Sequence, residues 1–475
     1  MISKTKNGLQ NPGFVWVCTF ALLCSLSSIT HGQSYLRLNG IVLSSQNAVP
    51  IAYAHVGIPA QGMGVVTNAA GAFTLNYPAT YAKDTLKVSY LGFKTYTVVL
   101  SKLRLEDTLI IRLKPEVLDL AEAMIKPHSD SGRAILREAL KRLKKNYPTK
   151  MHQLNAFYRE KAQSRDDYGY TRLMEGMVDI QDWGIDANPD RMRIRLNEYR
   201  KSNDLAKQSL GHRALGLMFG KKNNLYLILT QDPVRIHKHN VRTVNKYGDG
   251  YVHNSRRYWL GEILKSPRSS VRLMDMTSYD GEWVYHIKFR FPGHYGALYI
   301  NSEDYGIHHI DFYDAVVYQE IASDLKIDTN TTSERRQAYI KGLKNQIEST
   351  FHEGKFANKL NVTYQKIGGK YYLSHIEWMT MGSLRKSTVE EGKTTFSYNF
   401  CSLMVNEIQT DKKEMEKVKP RETLSRQEDT NDLRKQYNER FWRNYNVLLA
   451  TPLENKVIRD LTFEESLEQQ FKKNQ

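Results

Sequence analysis

The residues best suited to chemistry are a few histidines beside carboxylates, and their spacing limits what they can do. His308-His309-x-Asp311 is the strongest metal-like cluster, yet neighbours on a strand point to opposite faces, so His308 and His309 cannot share one ion. His309 and Asp311 share a face and are expected to be a satisfied or surface pair. His237-x-His239 has strand spacing for two ligands, but Arg235 and Lys238 repel a cation there. His352-Glu353 lacks the second histidine, one turn on, that a helical zinc-protease motif requires. The chain has no Gly-x-Ser-x-Gly elbow and no phosphate loop. Cys401 lies in a strand-like run and reads as a buried small hydrophobe rather than a nucleophile. The expectation is a protein that is not an enzyme, with no catalytic or metal residues and no cofactor. Paired glycosidase carboxylates need not be close in the chain, so a hydrolase of envelope glycans or peptides is kept as an alternative.

The elements that must hold these side chains are mostly strands. Leu86, Val88 and Tyr90 alternate, as do Tyr96, Val98 and Leu100, and residues 109–113 close the first set. Between them, Thr67-Asn68-Ala69-Ala70-Gly71 has the composition of a turn, with Asn able to bond its own backbone and Gly free to take positive φ. These short strands suit a small antiparallel sandwich.

Downstream, Trp283, Tyr285, Ile287, Phe289 and Phe291 alternate with polar positions. Two hairpins follow, one turning at Glu303-Asp304-Tyr305-Gly306 and one at Gly368-Gly369. The fold class is therefore mainly β: an N-terminal Greek-key β-sandwich, a larger antiparallel β domain with the rhythm of an open half-barrel, and a helical C-terminal tail. A helix is expected over 204–219, where Leu210, Ala214, Leu217 and Met218 share a face.

Residues 38–125 resemble the carboxypeptidase-regulatory-like domain. The resemblance rests on Gly40-Ile41-Val42, Val49-Pro50-Ile51 with Ala54-x-Val56, Thr67-x-x-x-Gly71-x-Phe73, Val88-Ser89-Tyr90-Leu91-Gly92-Phe93-Lys94, and Leu113-x-Pro115. It implies a transthyretin-like sandwich of the kind common in Bacteroidetes surface and periplasmic proteins, used for docking and not for peptidase chemistry. Asn68 stands where the family usually has Asp, which weakens any cation site at that turn. Residues 156–408, through Ala297-Leu298-Tyr299-Ile300 and Val362-Thr363-Tyr364-Gln365-Lys366, resemble periplasmic lipoprotein-carrier folds. That likeness implies a concave face able to hold acyl chains, which 29 Tyr and 16 Phe would line; the plainer expectation is that they fill a sheet core.

Lys4, Lys6 and the apolar run 14–29 read as a secretory leader ending near Gly32. Cys18 and Cys24 leave with it, so Cys401 alone remains and no internal disulfide is expected. The formal charge of +17 drops by two with the leader and stays strongly basic. An exported chain meets no nucleic acid, so an anionic membrane surface, a lipid or an envelope protein is the expected partner. Arg133, Arg137, Lys141, Arg142, Lys144 and Lys145 surround an apolar stripe of Leu136, Leu140 and Leu143, an amphipathic helix.

Near the end, Leu433, Tyr437, Phe441 and Tyr445 form an aromatic helical face, and Thr462-x-x-Glu465 reads as a capping box. The organisation expected is a signal peptide at 1–32, the sandwich at 33–126, linker and basic helix at 127–150, the β-rich domain at 151–410, and a flexible polar link with helices at 411–475. The function expected is that of a periplasmic or outer-membrane-associated protein that binds an apolar ligand or a partner. A structural or assembly role in the outer membrane is the first alternative.

Overall fold

Short strands broken by Pro, Asn and Gly build the N-terminal part of this computed structural model. The described residues are 34–118, 131–164, 169–188, 191–205, 225, 228–229, 232–235, 260–267, 269–291, 294–314, 358–381, 397–425, 433, 437–449, 455–462 and 465–474. In chain order the first strands are β1 (Tyr35–Ser44), β2 (His55–Ile58), β3 (Met63–Val66), β4 (Ala72–Pro78), β5 (Thr85–Ser89), β6 (Tyr96–Val99) and β7 (Leu109–Leu113). They form one sheet in the order β4-β1-β7, facing β6-β5-β2-β3.

The turn before β4 is made as its residues dictate. Asn68 Oδ1 accepts from the N–H groups of Ala70 and Ala72 at 2.9 Å, and Gly71 takes φ +72°. One pair departs from the antiparallel expectation: β1 and β7 run parallel. β7 arrives from the opposite sheet through the turn at Leu100–Lys102, so a crossover rather than a hairpin sets its direction.

The second part is β8 (Val117–Leu118), β9 (His152–Ser164), β10 (Tyr170–Asp182), β11 (Arg193–Lys201), β12 (Ser270–Tyr279), β13 (Glu282–Phe291), β14 (His294–Asn301), β15 (Ile307–Asp314), β16 (Asn358–Ile367), β17 (Lys370–Met381) and β18 (Ser397–Gln409). Hydrogen bonding orders them β11-β10-β9-β18-β17-β16-β15-β14-β13-β12-β8, a large curled sheet shaped as an open half-barrel. Strand twist and bulges at Met177/Val178, Leu273/Asp275, Thr363/Tyr364 and Val405/Glu407 supply the curl. Gly368 and Gly369, both at positive φ, close the β16–β17 hairpin as expected.

On β14, Gly296 meets the facing strand so closely that an added Cβ would sit 2.0 Å from the Asp311 carbonyl oxygen. Gly296→Ala is expected to destabilise by about 1–3 kcal/mol, the usual cost of overpacking. An unchanged urea midpoint would contradict that contact.

Helices α1 (Ser131–Lys141), α2 (Leu143–Asn146) and α3 (Leu260–Lys265) cover the inner face of the curl. Leu136, Ala139, Leu143 and Tyr147 pack there against Ile180, Ile287, Ile310, Val362, Ile376 and Leu403. The inner face is thus a filled core where an open acyl groove had been one expectation. The basic helix spends its apolar stripe on this core. Arg133 donates to the carbonyls of Leu264 at 3.3 Å and Ser269 at 2.8 Å, whereas Arg137, Lys141, Lys144 and Lys145 stay exposed.

The sandwich sits on the outer face of the same sheet. Met63 of β3 pairs with Glu407 of β18, and Phe157 and Met404 enter the sandwich core beside Val56, Phe73 and Leu86. Lys87 pairs with Asp280 at 2.5 Å, and the Gly92 N–H donates to the Ser278 carbonyl at 2.8 Å.

The tail adds α4 (Glu439–Asn444), α5 (Asn455–Leu461) and α6 (Leu467–Lys473). Residues 411–425, expected as a flexible link, are laid along β10 and β11. Met415 and Val418 are buried, Gln181 donates to the Glu416 carbonyl at 2.6 Å, and the Leu424 N–H donates to the Ile194 carbonyl at 2.8 Å. Two apolar residues three apart give this polar tract an anchor.

The long aromatic helix is only six residues, because Asn438 caps it at Phe441 and the backbone is extended at Tyr445. The capping box near the end is Ser466 with Gln469, not Thr462 with Glu465. The leader, residues 206–219 of the expected helix, His237, His239 and His352-Glu353 lie outside the described residues, and Asp204 and Leu205 are not helical.

Candidate functional site

Strand register sets two lines of side chains across the outer face. The first runs Arg200, Glu175, Arg159, Ser402, Glu377 and Asn361 from β11 to β16. The second, two residues along, runs Leu173, Lys161, Phe400, Met379 and Lys359. Alternation puts all of them opposite the filled inner face. The sandwich overhangs from one side and the tail from the other.

Two adjoining cavities of about 300 and 260 Å³ lie in this seam and share Arg159, Lys161 and Leu448. The first is bounded by Tyr53 and Asn68 of the sandwich above Lys359, Glu377, Phe400 and Ser402. Tyr53 holds φ +59° and stacks on His375 with ring centroids 5.5 Å apart. The Lys161 ammonium lies 5.9 Å from the Phe400 ring centroid and 6.0 Å from that of Tyr170. The second cavity is mainly apolar, with Leu173, Leu448, Val457, Leu467 and Phe471 around a charged floor.

That floor is a buried ion triad. Glu175 accepts from Arg159 at 2.6 Å and from Arg200 at 2.7 Å. Burial alone would raise the Glu175 carboxyl, but the charges of Arg200 and Arg159 overcome it and hold the group down at about 2. Arg159 also donates to the Leu448 carbonyl at 2.6 Å, fixing the tail to the sheet. Arg200 stacks under Trp442 at 4.5 Å and Phe471 at 5.2 Å, which closes the apolar cavity at its far end.

The histidines singled out in the sequence are placed elsewhere. His308 and His309 do point to opposite faces. His308 Nε2 lies 3.1 Å from Glu282, which Lys366 also contacts at 2.7 Å. His309 meets Thr363 at 2.8 Å and Asp311 at 3.1 Å. For Glu282, burial is outweighed by hydrogen bonds from His308 and Lys366, which hold the carboxyl at about 2. Such an acid is a poor proton donor near neutral pH.

Cys401 is 2% exposed, and burial pushes its thiol well up, as suits a core residue. Among the described residues no group of three or more His, Cys, Asp or Glu is placed to hold a metal ion. Among them also, no helix is long and apolar enough to cross a membrane.

Arg159, Glu175 and Arg200 were not singled out by spacing. Their one local signal is charge in mid-strand, as in Phe157-Tyr158-Arg159-Glu160 and Leu173-Met174-Glu175-Gly176. A charge flanked by buried apolar neighbours needs a partner.

Residues 38–125 match the family described as the CarboxypepD_reg-like domain. No curated protein matches the chain. Among solved structures, a domain assigned to outer membrane lipoprotein sorting from Vibrio parahaemolyticus is 7% identical with a TM-score of 0.24, covering 60% of this chain and 95% of its own. A LolA superfamily protein from Nitrosomonas europaea is 11% identical with a TM-score of 0.20, covering 62% and 97%. MucB in complex with MucA(peri) is 8% identical with a TM-score of 0.15, covering 59% and 98%.

Proposed function

We propose that this chain, whose residues 38–125 form a carboxypeptidase-regulatory-like domain, is a non-catalytic, exported cell-envelope protein that holds an apolar ligand in the outer seam of its curled sheet. The observation that carries the reading is the apolar cavity roofed by the tail, where Leu173, Val457, Leu467 and Phe471 converge. At about 260 Å³ it lies just under the usual range of roughly 300–1,000 Å³ for small-molecule pockets, and the adjoining cavity extends it. Export is supported by the leader read at residues 1–32. A binding rather than a catalytic role is supported by Glu175, which is committed to two arginines and held ionised.

The sandwich serves the site from within. Its rim, through Tyr53 and Asn68, forms part of the wall. Docking is thus first of all to its own chain.

Native mass spectrometry of the mature protein from envelope extracts is expected to find a bound amphiphile, and a fluorescent fatty-acid probe is expected to bind. Leu467→Trp, which fills the apolar cavity, is expected to weaken probe binding about tenfold or more, equivalent to about 1.4 kcal/mol. No bound amphiphile together with no probe uptake would defeat the reading.

A further inference from the structure

We infer that the cavity beneath Tyr53 receives a neutral polyol head, with Glu377 as its hydrogen-bond acceptor, so that the ligand is a single-chain amphiphile ending in vicinal hydroxyl groups. This rests on the reading of the neighbouring cavity as a chain site. Sharing Arg159, Lys161 and Leu448, the two cavities adjoin, and a chain in one leaves its head at the other.

The cations in this lining are already engaged. Arg159 is matched by Glu175 and donates to the Leu448 carbonyl. Lys161 lies between the rings of Tyr170 and Phe400. Lys359 stands against Asp311, whose carboxyl its charge helps to hold down, and lies 3.2 Å from the Asn361 amide oxygen.

Glu377 differs from them. Register sets it between Asn361 of β16 and Ser402 of β18. Asn361 turns its amide N–H groups to Asp311 at 3.1 Å and to the Leu360 carbonyl at 3.2 Å, and so away from Glu377. The half-buried Glu377 carboxylate enters no hydrogen bond or ion pair among the described residues.

An ionised carboxylate only accepts, so it calls for donors. A fixed cation would meet Arg159, Lys161 and Lys359 in the same lining, and an anion would meet Glu377. A hydroxyl brings the donor without either charge, and its bond to a carboxylate is of the stronger, charge-assisted kind. Ser402, whose Oγ lies 3.2 Å from His375 Nε2, adds a hydroxyl to the same cavity. Phe400 and Met379 offer apolar surface to the carbon skeleton of the head.

A sugar and a glycerol share this chemistry, and equal-chain probes separate them. Octyl glucoside, 1-O-octylglycerol, octyltrimethylammonium and methyl octyl ether, which has no donor, are to be titrated into the full mature protein by calorimetry. Wild type is expected to bind one or both polyols about tenfold more tightly than the ether, as hydrogen bonds to a charged group allow. The ammonium is expected to bind no better than the ether.

In Glu377→Ala the preference for polyol is expected to fall to near unity while ether binding stays. Should that variant misfold, Glu377→Gln, of the same size but without the charge, is expected to lose most of the preference. A full preference in either folded variant overturns the assignment, as does tighter binding of the ammonium than of both polyols. Equal binding of polyols and ether by wild type overturns the head site and leaves the chain site standing. Binding of none overturns both.

Discussion

Glu175→Gln is expected to lower stability by about 3–5 kcal/mol, the usual cost of leaving a buried charge without its partner. Glu175 is 2% exposed and neutralises two guanidinium groups, of which Arg159 is 6% exposed. An amide cannot balance either charge, and the two arginines then repel across one site. The effect should be read as a lower urea midpoint with an unchanged slope.

Replacing the triad as a whole, by Arg159→Met, Glu175→Leu and Arg200→Met, is expected to recover much of the loss, because no charge of the triad is then left buried without its partner. Recovery should be partial, since Arg159 also holds the Leu448 carbonyl and Arg200 stacks on Trp442. A Glu175→Gln protein as stable as wild type would remove the triad as the clamp between tail and sheet.

Acidification from pH 6.5 to about 4 is expected to destabilise the joint between sandwich and large sheet, with His55 as a main contributor. Its ring lies against Gly57 and Gly64, where added Cβ atoms would come within 2.8 and 2.9 Å of it. Burial pulls the imidazole down to about 4; Asp280 raises it only in part and Lys87 lowers it further. A histidine with a depressed folded value stays neutral in the native state while the unfolded chain takes up a proton.

Its contribution is therefore intact above about 6.5, is lost as the pH falls, and levels off below about 4. The loss is as much as about 3 kcal/mol. Burial lowers His152 and His375 in the same direction. Glu175, depressed instead, keeps its contribution above the ordinary carboxylate value and loses it only as the pH falls toward about 2. Denaturation midpoints for wild type and His55→Asn across this range should diverge at pH 7 and converge toward pH 4. Parallel curves would show that His55 does not titrate with unfolding.

How much of this was legible beforehand depends on range. The Asn68–Gly71 turn and the Gly368-Gly369 hairpin follow from backbone preferences of adjacent residues, so they could be read directly. The stripe Leu136, Leu140, Leu143 announced helix over α1 and α2, although not their break at Arg142 nor that the sheet's inner face would receive them. The seam was not legible. Arg159 meets Ser402 and Glu175 meets Arg200 only after β9, β10, β11 and β18 have found one another in register.

Local pattern carries no information on that pairing, and one residue of slip would turn all these charges inward. The tail misled for a related reason. Tyr437, Phe441 and Tyr445 do cover one apolar surface, but packing on the sandwich and sheet, rather than a continuous helix, brings them there.

The Val66 N–H donates to Met404 Sδ at 3.2 Å, across 338 positions of sequence. For a chain synthesised N-terminus first, this sets an order of events. The sandwich emerges early with the β3 edge unpaired and its floor missing, because Phe157 and Met404 have yet to arrive. Until β18 follows, the module offers an open strand edge and bare apolar surface to whatever is nearby, the condition in which strands pair wrongly. Completion of the first domain is then timed by the last of the described strands, and a product cut short before residue 397 would leave its opening module still unfinished.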